Sequence, residues 1–283
     1  MTEGNMSLSN VSNQIEISEK FESQLAALKE QCSEIELDGT YNMLSSRVRR
    51  AHDAISAILD EVDYTGNTLK LFSVGLSRMR EDFITLNSRL HSATEKLMAG
   101  ELLLRDGSVA EYLNQTYINK GFPDLLRFQS SEWRRLGVSL RAGDNLYIVG
   151  GGALPQTQIY LASEFDCNII SIDQDHIAAE LCKKVLKKHG NPKLTSIWHS
   201  GESFDYSNAS IVAVATLVTS KEKIGHQVYQ TSDCAFFAPR CPIGAHAFWR
   251  TELQTEHLAA IGWRLLGNLS PQNSSVSSLL FGR

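Results

Sequence analysis

LYIVGGGALPQTQIYLASEFDCNIISIDQDH, residues 146–176, reads as a short apolar strand, a glycine turn, a helix and a second apolar strand that ends on an acid. Leu146 to Val149 make the first strand, and Gly150, Gly151 and Gly152 the turn. Ile159 to Ala162 are the apolar part of the helix, and Asn168 to Ile172 the second strand. Asp173 follows about 20 residues past the turn, where a βαβ unit offers a carboxylate to a ribose hydroxyl. The glycines let backbone N–H groups approach a ligand with no Cβ in the way, and the next helix presents its positive end there. An isolated glycine turn is weak evidence, whereas strand, turn, helix, strand and acid in order are specific. The bland alternative is a βαβ corner whose small residues serve packing.

The usual dinucleotide fingerprint, G-x-G-x-x-G, wants a glycine where this chain has Pro155. Proline suits the first turn of a helix, where its missing donor is an orphan anyway, and Thr157 is expected to satisfy another orphan N–H. The turn therefore reads as wider than one that grips a pyrophosphate. It suits a ligand with adenosine and no phosphates, of which S-adenosylmethionine is the commonest.

The 283 residues exceed one typical domain, so two are expected. A net charge of −5 leaves no basic stripe to neutralise phosphates, which argues against nucleic acid as a partner. Lys183, Lys184, Lys187 and Lys188 have the spacing of one solvated helix face. Five scattered cysteines without C-x-x-C spacing suggest neither a disulfide framework nor a zinc site, and point to a reducing, cytoplasmic compartment. His176, His189, His199, His226, His246 and His257 show no ligand spacing, so no metal is expected. No run of about 18 apolar residues is present and the N-terminus is not signal-like, so no membrane association is expected.

Residues 1–12 are polar and expected to fray. From Gln14 to about Leu104 apolar residues recur at three and four, as in Phe21, Leu25, Leu28 and in Ile55, Ile58, Leu59, Val62, which predicts helices. Breaks are expected at Leu37-Asp38-Gly39 and Tyr64-Thr65-Gly66-Asn67, with a last helix over Ser92 to Leu104. Residues 106–143 read as an irregular connector containing one helical stretch, Pro123 to Leu136. Strand-like runs then fall at Leu146–Val149, Ile169–Ile172, Leu194–Ile197, Ile211–Ala215, Ala235–Ala238 and Ser275–Phe281. Their alternation with helical runs predicts a mostly parallel doubly wound sheet. The glycine turn, Asp173, His199 to Glu202 and Ala215-Thr216-Leu217 should meet in one crevice at the carboxyl ends of its strands.

The block IVGGGALPQTQIYLA resembles the glycine–proline loop of the nicotianamine synthase family, a G-S/G-G-x-x-P-x-T core. The stretch Phe122 to Trp133, FPDLLRFQSSEW, is similar to the family's Y-x-N-Y-x-x-L-x-x-L-E-Y segment. It departs at Phe122, Asp124, Leu125 and Trp133. Ala93 to Gly107 resembles the shorter bacterial relatives that make staphylopine-type opine metallophores. The resemblance covers about residues 40–283 and is diffuse outside these blocks. It implies an N-terminal α-helical bundle domain with connector over 1–140, followed by a Rossmann-like S-adenosylmethionine-binding doubly wound sheet over 141–283.

It also implies transfer of the 2-aminobutanoate arm of S-adenosylmethionine, rather than its methyl group, to the α-amine of histidine or another amino acid. The product is a metallophore precursor that an opine dehydrogenase completes, and a homodimer is allowed. An ammonium has no lone pair, so a carboxylate must first take a proton. Glu95 aligns with the family's expected base; its bland reading is a solvent-facing helix glutamate. Glu101, six residues on, is off that face. Gly150, Gly151, Gly152, Pro155, Thr157, Asp173, Glu202 and Ala215 are expected to hold the donor, with Asp173 on the ribose and Glu202 on the adenine amine or, blandly, in a surface loop. Asp175 reads as a helix cap. Arg240 suits a substrate carboxylate or, blandly, a salt bridge. Tyr112, Tyr117 and Phe122 are expected to close over the ligand or, blandly, to pack in the core. Two other readings stand beside this one: a small-molecule N-methyltransferase on the same sheet, and a non-catalytic nucleotide-sensing module.

Overall fold

The structure, a computed structural model, describes residues 66–115, 122–233, 236–243, 247, 250–271 and 276–283. The helices expected between Gln14 and Tyr64 lie outside the described residues, as do Tyr117 and His246. The chain divides into two compact units, residues 1–86 and 87–283. Of the first, only part of one helix, from Gly66, is described.

The second unit is a mixed α/β, Rossmann-like layer structure. Helix α1 (Gly66–Leu104) enters it from Asn87 onward; α2 (Val109–Gln115) and α3 (Phe122–Arg135) follow. Then come β1 (Asn145–Val149), α4 (Gln156–Glu164), β2 (Asn168–Asp173), α5 (His176–His189), β3 (Leu194–Trp198) and β4 (Ile211–Val214). The chain ends with α6 (Lys221–Thr231), β5 (Phe236–Pro242), α7 (Thr255–Ala260), β6 (Arg264–Leu269) and β7 (Val276–Gly282). The strands form one sheet in the order β3-β2-β1-β4-β5-β7-β6. β1 to β5 run parallel, and β7 is antiparallel to both of its neighbours.

Alternation along β1 sorts the core into two layers. Leu146 and Ile148 face α3, α4 and α5, where Leu126, Trp133, Leu161, Cys182 and Leu186 are buried. Tyr147 and Val149 face α6 and α7, where Ile224, Val228 and Leu258 close the other side. Burial on both faces is why these strands read as unbroken apolar runs. β6 was not expected: RLLGNL contains Gly and Asn, lacks β-branched residues, and is exposed along most of its length at the sheet edge. α2 was not expected either, since its seven residues are too few to show a period.

The end of α1 is anchored by a third apolar cluster. Met98, Ala99 and Leu102 pack with Val109, Tyr112 and Leu113, and against Ala153, Leu154, Ala178 and Val185. Burying a leucine such as Leu102 stabilises by about 1.5–3 kcal/mol. Lys188, from the otherwise exposed lysine face of α5, donates from Nζ to the carbonyl oxygens of Leu102 (2.8 Å) and Arg105 and so satisfies the frayed end of α1. Asp175 caps α5, accepting from the amides of Ile177 and Ala178, and Gly190 ends that helix in the left-handed region. The order of strands reverses between β1 and β4, so the crevice opens where β1 runs into its glycine turn and β4 into Ala215.

Candidate active site

The turn after β1 has no room for side chains. Gly150 (φ 77°) and Gly152 (φ 68°) occupy the left-handed region. A Cβ on Gly150 would lie 2.4 Å from Val218 Cγ2, and one on Gly151 would lie 2.4 Å from Ser171 Cβ. A Cβ on Gly152 would meet Glu95 Oε2 at 1.9 Å. The turn is tied down by Asp173, whose Oδ2 accepts from the Gly152 amide and whose Oδ1 accepts from the Asp175 amide, both at 2.9 Å. A carboxylate has about four lone-pair sites. Two of them are not used by these amides.

Glu95 reaches the same turn from α1. Glu95, Met98, Ala99 and Leu102 share one helical stripe, and the last three are buried, so the periodicity that packs α1 also aims Glu95 inward. Its Oε2 accepts from the Ala153 amide at 3.2 Å. Consecutive amides of the turn therefore hold two carboxylates side by side. Burial of the Glu95 carboxyl pushes its pKa up to about 7; the amides of Ala153 and Leu154 oppose that rise and the charge of Asp173 adds to it. Asp173 is raised as well, mainly by burial. Burial also acts upward on Asp175, but the Lys96 ammonium, paired with it, and the amides of α5 outweigh that effect and leave Asp175 below its ordinary value. Among four neighbouring charges, Glu95 is thus the one poised to exchange a proton near neutrality. Glu101 takes no part: it is bound to Tyr112 and Arg105.

Pro155 stands at the N-cap of α4, with no side-chain bond to the helix amides. Thr157 does not supply that bond, contrary to the sequence expectation, because it is already inside the helix and its hydroxyl faces β5. There its Oγ1 accepts from Arg240 Nη1 at 3.2 Å. Arg240 also donates to Gln129 Oε1 from Nε (3.3 Å) and Nη2 (3.1 Å), and its guanidinium lies 5.4 Å from the Phe122 ring centroid. Gln129 in turn donates to Ser278 Oγ. Arg240 is 4% exposed and has only neutral partners among the described residues, so burial pulls its pKa down to about 10. Neither a salt bridge to the helices nor any other ion pair holds it.

Ala215 lies at the crevice, its amide on the Val149 carbonyl and its methyl 3.2 Å from the position a Gly150 Cβ would take. Glu202 is exposed, with its carboxylate 3.6 Å from Lys223 on α6. Tyr112 is displaced from its expected place over the ligand: its ring is buried in the cluster under the turn and its hydroxyl donates to Glu101. The reason is the unexpected α2, which turns that ring toward α1.

Sequence reasoning missed Lys96, Gln129 and Lys221. Gln129 interrupts the buried stripe Leu125, Leu126, Ser130, Trp133, and a polar residue on such a stripe was the available signal. Lys221 opens α6, where the helix dipole disfavours a cation, and is fully buried. Its Nζ donates to the carbonyls of Thr216 and Thr251, each at 3.0 Å, and of Val218. Burial lowers its pKa to about 8. Among the described residues no three His, Cys, Asp or Glu side chains are placed to hold a metal, and no helix is long and apolar enough to cross a membrane.

No family model and no curated protein matches the sequence. Solved structures of the nicotianamine synthase MtNAS share the fold. A glutamine-for-glutamate mutant of MtNAS superposes with a TM-score of 0.79 at 20% identity, over 94% of this chain and 97% of that one. MtNAS in complex with MTA and tNA gives 0.73 at 20% identity, over 98% and 99%. The mutant in complex with S-adenosylmethionine gives 0.71 at 22% identity, over 90% and 96%.

Proposed function

We propose that this chain transfers the 2-aminobutanoate arm of S-adenosylmethionine to the α-amine of histidine, releasing methylthioadenosine and making the precursor of an opine-type metallophore. The observation that carries the proposal is Glu95: a carboxyl with a pKa near 7, placed against the glycine turn and beside Asp173. The full-length likeness to a fold solved with S-adenosylmethionine, and separately with MTA, supports the choice of donor. The side-chain-free turn and the two spare acceptor positions on Asp173 fit an adenosine moiety.

Glu95 takes the proton from the acceptor's ammonium. The freed lone pair forms a C–N bond with the terminal methylene of the donor's arm as the C–S bond breaks, and the electron pair leaves on sulfur. Burial, and after it the charge of neighbouring Asp173, keeps Glu95 basic enough to accept that proton at neutral pH. Asp175 is held by Lys96 and does not compete. Arg240, with Phe122 over its guanidinium, takes a carboxylate in exchange for its neutral partners. In this reading the product passes to an opine dehydrogenase in the cytoplasm.

The test is Glu95→Gln, which keeps the shape and the hydrogen bond from Ala153 but cannot take a proton. S-adenosylmethionine affinity should stay within about twofold, and histidine-dependent turnover should fall by about 10²- to 10⁴-fold. Near-normal turnover at saturating substrate would remove Glu95 as the base and the proposal with it.

A further inference from the structure

Resting on the function proposed above, we infer that Arg250 is a second carboxylate-binding residue of the crevice beside Arg240, and that it reads the carboxylate of one of the two amino-acid substrates. Two of its donor atoms, Nε and Nη1, are shut off from solvent and have no hydrogen-bond partner. Among the described residues no carboxylate lies within salt-bridge distance of it. A guanidinium with two donors buried and no counter-charge is a costly feature that folding alone does not reward. Burial lowers its pKa to about 10, so it still carries its charge at neutrality.

The residues around Arg250 connect it to the crevice. The next residue, Thr251, gives its carbonyl to Lys221, whose ammonium also holds the Thr216 and Val218 carbonyls of the segment after β4. Val218 is the residue that abuts Gly150. A chain of direct contacts thus runs from the glycine turn through Val218 and Lys221 to the backbone beside Arg250. Beyond it, Leu253 packs into the α6–α7 side of the core and the Gln254 amide donates to Glu222 Oε1 at 2.8 Å. Arg240 points from β5 toward α3 and α4. Lys221 has spent all three N–H donors on carbonyls, so it positions the segment and adds positive potential without an N–H left for a ligand. Arg250 does have donors left. A planar guanidinium with free N–H groups beside a second cation matches a carboxylate. Two amino-acid substrates carry one α-carboxylate each, and the chain offers two arginines, Arg240 buried and Arg250 half-buried, without counter-ions among the described residues.

Titration calorimetry on the full-length protein separates the sources of that carboxylate. S-adenosylmethionine against decarboxylated S-adenosylmethionine asks whether the donor's carboxylate is read. Histidine against histamine, with and without methylthioadenosine, asks the same of the acceptor. Wild-type protein should prefer the carboxylated member of one pair, and Arg250→Gln should reduce that preference by about 10- to 100-fold while leaving the decarboxylated member's affinity in place. Arg250→Lys keeps the charge but not the fork, and should restore only part of it. A wild type blind to the carboxylate in both pairs overturns the inference, as does an Arg250→Gln variant that weakens both members of each pair equally or neither. Failure of the wild type to bind either adenosyl compound would instead sink the proposed function, and the histidine–histamine ratio then still decides Arg250.

Discussion

The two flanks of the crevice carry opposite charge and are built by opposite means. On the β1–β2 side, Glu95, Asp173 and Asp175 accept from five backbone amides and pair with one lysine, so the acids are held by the chain itself. On the β4–β5 side, Lys221 and Arg240 are buried with neutral partners, and the half-buried Arg250 has two donors shut off from solvent with none. The same physical cause acts on both flanks, since burial disfavours the charged form. It raises Glu95 to about 7 and lowers Lys221 to about 8 and both arginines to about 10. The consequence differs. An acid raised to 7 can exchange protons at neutrality, whereas an arginine lowered to 10 stays charged and can only attract. Under the proposed function, proton chemistry falls to the first flank and anchoring of anions to the second.

The largest expected effect lies in the pH dependence of the acid flank. Below pH 7 the wild type loses its free base, so the ratio of its kcat to that of Glu95→Gln should shrink about tenfold per pH unit, with substrate titrations cancelling in the ratio. A ratio independent of pH between 5 and 7 would break the assignment of proton transfer to this flank. Stability has the opposite sign. Because the folded-state pKa of Glu95 is raised from 4.5, its contribution falls as pH rises from about 4.5 to 7. Glu95→Gln should therefore gain in melting temperature over the wild type across that window and level off above it.

Next in size is Asp173→Ala. Removing two ribose acceptors should weaken S-adenosylmethionine binding by roughly 2 to 4 kcal/mol in calorimetry with the fold intact. Unchanged affinity would separate Asp173 from the ligand and leave it a tie for the glycine turn. Arg240→Met sharpens the comparison from the other flank. It removes a buried charge without a counter-ion, so it should change stability by no more than about 1–2 kcal/mol while lowering the affinity of a carboxylated substrate about 10- to 100-fold. A large loss of stability with unaltered binding would make Arg240 a structural residue. The smallest effect belongs to Lys188→Met, which frees the end of α1. It should cost about 1 kcal/mol in denaturant titration and leave donor affinity untouched.

Much of this was legible in the sequence where burial is two-sided and local. β1, β2 and β4 are apolar runs because helices cover both faces, and the glycine turn and Asp173 follow from them by spacing. Glu95 also lies on a readable stripe with Met98, Ala99 and Leu102. β6 was lost because an exposed edge strand carries no apolar signature, and Tyr112 was misplaced because α2 is too short to show a period. The partners of Arg240 were not legible, since Thr157, Gln129 and Phe122 reach it from separate elements up to 118 positions away in the chain. Arg250 left no sequence signal either: what marks it is the absence of a partner, which only the folded chain reveals.

Product identity tests the central claim most directly. In S-adenosylmethionine the methyl carbon is the least hindered electrophile, so arm transfer requires the acceptor amine to be aligned with the arm's terminal methylene instead. Full-length protein incubated with S-adenosylmethionine and histidine should release methylthioadenosine together with a conjugate heavier than histidine by one aminobutanoate unit, both read by mass spectrometry. Accumulation of S-adenosylhomocysteine with a methylated acceptor would contradict the account and make the crevice that of a methyltransferase.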